Sequence, residues 1–97
     1  MSKVLIIEDD QIVANIYRNK FLVEGYEVEI ALDGETGLEK IQAFNPDAIV
    51  LDLMMPGMDG PTMVEQIRRI DPQLPVLGMT GIAERAEARL NRLKDQP

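Results

Sequence analysis

Residues 47–60 read Asp-Ala-Ile-Val-Leu-Asp-Leu-Met-Met-Pro-Gly-Met-Asp-Gly. The reading of this stretch decides the fold. Ala48 to Leu51 form a short apolar run bounded by polar and turn residues, the mark of a strand buried on both faces. The run stops on a charge, Asp52. Pro56, Gly57, Asp59 and Gly60 then force a loop. Asp52 is therefore expected where a central strand delivers its last residue to the surface. In open parallel α/β sheets that edge is where ligands bind.

A second stretch has the same form. Val4 to Ile7 is apolar and ends in Glu8, Asp9 and Asp10. If the two runs are neighbouring parallel strands, Glu8, Asp9 and Asp52 converge. Carboxylates that close repel one another, and some must protonate or share a cation. A hard divalent ion with oxygen ligands, Mg²⁺ above all, is the natural occupant.

Composition narrows the classes. The 97 residues suit one domain, and an apolar share of 45% permits a small core. A net charge of −7 argues against nucleic acid or a membrane surface as partner, since both are anionic. The chain has neither cysteine nor histidine, which removes disulfides, thiolate metal sites and the commonest general base. No apolar run reaches membrane-spanning length, and the N-terminus does not read as a signal peptide, so a cytoplasmic location is the default expectation.

Outward from the opening stretch, strands are expected at 3–7, 27–32, 48–52 and 75–79. Helices are expected at about 10–24, 35–44, 60–70 and 83–94. Ile12, Val13, Ile16, Tyr17 and Phe21 give the first helix one apolar face, with Asp9 or Asp10 as its cap and Gly25 as its stop. Asp33-Gly34 signals a turn. Leu38, Ile41 and Phe44 should face inward from the second helix, and Met63, Val64, Ile67 and Ile70 from the third. The alternation predicts an open parallel sheet of four βα units with helices on both faces.

With these pieces in place, the chain resembles the receiver domain of two-component response regulators. The matching segments are Val4 to Asp10, the Asp33-Gly34 turn, Asp52 to Gly60, and Pro75 to Gly81. The resemblance implies a flavodoxin-like fold with strand order 2-1-3-4 over a domain at 1–97. It implies Asp52 as phosphoacceptor, Glu8 and Asp9 as the acidic pair that holds Mg²⁺, and the Met54 backbone carbonyl as a further ligand. It also implies Thr80 as the hydroxyl that contacts the phosphoryl group, with Gly81 leaving room above it. A histidine kinase or histidine phosphotransfer protein would donate the phosphoryl group. A downstream protein would read it by contact, and no metabolic reaction is expected.

The family fold has a fifth βα unit, whose strand carries a lysine. This chain shows no fifth apolar run, and Lys94 follows a helix rather than a strand. Strand four is then expected to be an edge, and part of the face of strands one and three to be uncovered. Dimerisation or segment exchange through that edge, a chain cut from a longer receiver, or the last helix filling the place beside the first would each answer this. The competing function is a receiver-shaped assembly module that no longer signals through phosphate. A flavin-binding role fits poorly, because acids occupy the loop where a phosphate cradle would lie.

Overall fold

The structure is a computed structural model that describes residues 2–53, 55 and 60–79. Among the described residues the order is β1 (Lys3–Ile7), α1 (Gln11–Val23), β2 (Glu27–Ala31), α2 (Gly34–Phe44), β3 (Ala48–Asp52), α3 (Gly60–Ile70) and β4 (Val76–Met79). The strands are all parallel, in the order β2-β1-β3-β4. This is the flavodoxin-like arrangement expected from the sequence. The helix expected at 83–94 lies outside the described residues.

Two apolar clusters explain why the central strands read as unbroken apolar runs. On one face Leu5, Ile7, Ile49 and Leu51 pack with Ile41 and Phe44 of α2 and with Met63 and Ile67 of α3. On the other, Val4, Ile6 and Val50 pack with Ala14, Tyr17 and Phe21 of α1. Successive residues of β1 and β3 thus point into opposite cores, and both cores exclude water.

The helix ends follow local chemistry. Asp10 caps α1, its Oδ1 accepting from the Ile12 and Val13 amides at 2.9 and 3.3 Å. Asp33 caps α2 by accepting from the Thr36 amide at 2.7 Å, so the expected turn at Asp33-Gly34 is in fact a helix start. That hydrogen bond holds the Asp33 carboxyl below its ordinary value. Asn45 closes α2 in the left-handed region at φ 53°, a conformation its short polar side chain tolerates.

Three expectations need correction. Ile70 is 36% exposed; Leu74, beyond the end of α3, joins the core cluster instead. Leu32 falls outside β2 and is exposed. The faces of β1 and β3 are covered: Val4, Ile6 and Val50 are all buried. α1 covers them through Ala14, small and wholly buried, together with Tyr17 and Phe21. Exposure falls on β4 instead, where Leu77 is 62% exposed beside a groove of about 370 Å³ shared with Val4, Phe21, Tyr26 and Val50.

Candidate functional site

β1 and β3 are adjacent, with Ile7 level with Leu51. Their next residues, Glu8 and Asp52, therefore leave the sheet side by side at its carboxyl edge. Both are buried, at 0% and 1% exposure, and among the described residues they are the polar or charged side chains in the core. Asp9 lies at the rim. One carboxylate oxygen from each of Glu8, Asp9 and Asp52 falls within 4.8 Å of the others.

Backbone hydrogen bonds fix the site from below. The Glu8 amide donates to the Ala31 carbonyl at 3.0 Å, which extends the β1–β2 ladder to the acidic residue itself. The Asp10 amide donates to Glu8 Oε1 at 3.0 Å. Asp10 thus caps α1 with its side chain and steadies Glu8 with its backbone. The sequence could show the first role through residue type. It carries no signal for the second, because every residue but proline has an amide.

Burial dominates the electrostatics of Glu8. Loss of water, together with the neighbouring Asp52 and Asp9, raises its pKa from 4.5 to about 8, and the Asp10 amide offsets only part of this. Three clustered acids, two of them buried, disfavour full ionisation unless positive charge arrives. An all-oxygen donor set of this size suits a hard divalent cation such as Mg²⁺ and offers nothing to a thiophilic one. The residues present therefore fit the ion that the sequence implied. Met54, Thr80, Gly81 and Lys94 lie outside the described residues.

An open parallel sheet with an acidic pocket where β1 and β3 part defines a class: flavodoxin-like α/β domains whose ligand site lies at the topological switch point. Within that class, the chain belongs to the response regulator receiver domain family, whose model matches residues 4–94. It is similar to the response regulator MprA of Mycolicibacterium vanbaalenii, with 40% identity over 78 residues, which is 80% of this chain and 34% of that protein. The MprA of Mycobacterium ulcerans is 41% identical over the same length. The chain thus spans about a third of the length of these relatives. Among solved structures, the Vibrio cholerae chemotaxis protein CheY4 superposes with a TM-score of 0.77 at 30% identity, over 93% of this chain and 79% of that one. The N-terminal domain of a response regulator/sensory box/GGDEF protein from Carboxydothermus hydrogenoformans gives 0.74 at 39% identity, over 79% and 62%. The chain is therefore a receiver domain of the two-component response regulator type. No helix among the described residues is long and apolar enough to cross a membrane.

Proposed function

We propose that this receiver, read as a single domain over 1–97, accepts a phosphoryl group on Asp52 and signals by protein contact. The observation that carries the reading is the meeting of the Glu8, Asp9 and Asp52 carboxylates within 4.8 Å at one sheet edge. A histidine kinase or phosphotransfer protein is the donor. An Asp52 carboxylate oxygen forms the new bond to phosphorus as the P–N bond of a phosphohistidine breaks. The electron pair stays on the imidazole nitrogen, which then takes a proton. Glu8, Asp9 and Asp52 would hold Mg²⁺, and the family resemblance adds the Met54 carbonyl. Bound there, the ion supplies neutralisation of the charge on the phosphoryl oxygens.

The chain's own residues do the rest. Burial of Asp52 shields the acyl phosphate from water. Glu8, anchored through Ala31 and Asp10, fixes one side of the pocket. Thr80 donates its hydroxyl to a phosphoryl oxygen, and the family resemblance is what supports that assignment. The chain is then a partner in phosphotransfer rather than an enzyme acting on metabolites, and its family membership supports a cytoplasmic location.

Beryllofluoride, a phosphoryl mimic, tests the reading. With Mg²⁺ it should shift the amide resonances of Asp52, Glu8 and residues 79–81, and Asp52→Asn should abolish the shifts. Silence in the intact protein would favour the phosphate-independent assembly module.

Self-association through β4 belongs to the same proposal. β2, the opposite edge, carries Glu27 and Glu29, and Glu29 pairs with Lys40 at 3.1 Å. β4 reads Val-Leu-Gly-Met and has no such charge. Light scattering should show dimer at high micromolar concentration, diminished by Leu77→Lys. A monomeric mass throughout would remove this part.

A further inference from the structure

Leu53 follows Asp52 and lies between two glycines. A Cβ placed on Gly60 would stand 2.6 Å from Leu53 Cδ2 and 3.3 Å from the Leu53 Cα. A Cβ on Gly78 would stand 3.0 Å from Cδ1 and 3.1 Å from Cδ2 of the same leucine. Contacts under 3.0 Å are essentially never made by real Cβ atoms, so alanine at Gly60 forces movement. Neither glycine is needed for its backbone angle: among the described residues positive φ belongs to Gly25 and Asn45. What both glycines supply is room for one side chain.

The placement follows from strand parity. Ile49 and Leu51 face the core under α2 and α3, and Leu53 continues that alternation beyond the end of β3. Gly78 is level with Leu51, and Gly60 is the first residue of α3. Leu53 thus sits at the junction of β3, β4 and α3, one residue from the carboxylate. At 36% exposure it is too open to count as an ordinary core residue. A half-exposed leucine with two glycines shaped around it stabilises a direction more than it hides surface.

We infer that Leu53 is a positioning residue: clamped between Gly60 and Gly78, it fixes how the chain leaves Asp52, and so aims the Asp52 carboxylate at the cation. The inference rests on the proposed cation site. Binding groups need placement to within about 0.5 Å, and loss of a supporting contact around a metal site weakens binding by roughly tenfold or more.

The test uses three variants of the full chain, Leu53→Ala, Gly78→Ala and the pair Gly78→Ala with Leu53→Val, titrated with Mg²⁺ and followed by the amide shifts of Glu8, Asp9 and Asp52. Each single variant should raise the Mg²⁺ Kd about tenfold. The pair should recover much of the loss, because valine withdraws the two methyls, Cδ1 and Cδ2, that a Gly78 Cβ would meet most closely. Urea unfolding runs alongside, since a merely structural role would lower stability without rescue of Kd. Wild-type affinity in both single variants, or a pair that binds no tighter than Gly78→Ala alone, would overturn the inference. If the wild type itself shows no Mg²⁺ response, the cation-site reading fails separately. The clamp is then read without metal from amide hydrogen exchange at Asp52, Leu53 and Gly60, which should quicken in Leu53→Ala; unchanged exchange there overturns it.

Discussion

Replacing Glu8 by glutamine should stabilise the metal-free protein, and only above a particular pH. The folded protein holds the Glu8 proton up to about pH 8, whereas the unfolded chain releases it near 4.5. Below 4.5 both states are protonated, and Glu8 behaves as a neutral group much like glutamine. As pH rises from 4.5 to about 8, the unfolded state ionises first, so wild-type stability falls relative to Glu8→Gln. Above pH 8 the difference is constant. At about 1.4 kcal/mol per pH unit, the ceiling across that window is about 5 kcal/mol. Asp9 opens one side of the pocket to water, which screens the charges and reduces the gain to about 2 kcal/mol. Urea unfolding of both proteins from pH 4 to pH 9 in a chelator measures the difference, with the other titrating groups common to both. Saturating Mg²⁺ should then close the gap, because the ion stabilises the ionised wild type and finds a poorer site in the variant. A difference that is zero at every pH, or that is already full at pH 4, would refute the burial argument for Glu8.

Two further outcomes concern the scaffold. Asp10→Ala removes the acceptor for the Ile12 and Val13 amides and should lower stability by about 1 kcal/mol in urea unfolding, while Asp10→Asn should cost little. Gly37→Ala places a Cβ 2.7 Å from Ile7 Cδ1 and should cost about 1 kcal/mol by thermal unfolding; in an Ile7→Val background, which deletes that methyl and leaves Cγ1 at 3.0 Å, the same change should cost less.

The sheet was legible because β1 and β3 are buried on both faces, which writes them as unbroken apolar runs ending in acids. Strand order followed from the family resemblance and from the demand that Glu8 and Asp52 meet. The errors fall where residue type carries little information. Ala14 is too small to look like a core residue, yet it is wholly buried where α1 covers the sheet. Ile70 fits the helical stripe of α3, but the stripe outruns the core, and Leu74 from the following segment takes its place. Asp33-Gly34 read as a turn because a helix cap and a turn use the same residues. At the site, the convergence of Glu8, Asp9 and Asp52 was legible and its supports were not. The Asp10 amide that steadies Glu8 is common to all residue types, and the room that Gly60 and Gly78 give Leu53 appears only once three elements are brought together.

The fold and the site make opposite demands on the same strands. β1 and β3 must be apolar on both faces to hold the centre of the sheet, and each ends by carrying a buried carboxylate into the same pocket. Folding the metal-free chain therefore leaves Glu8 protonated at neutral pH, at a cost that the two apolar clusters offset. That cost is what would favour a cation in the pocket. An ordinary surface carboxylate pair is fully hydrated and gains little from Mg²⁺. Glu8 and Asp52 have already lost their water, so a cation entering the pocket would displace the Glu8 proton and pair with carboxylates that solvent screens little. Glu8→Gln relieves the cost of burying an ionisable carboxyl and removes one carboxylate that a cation would pair with, so in this domain greater stability of the metal-free chain and readiness for phosphotransfer should move in opposite directions.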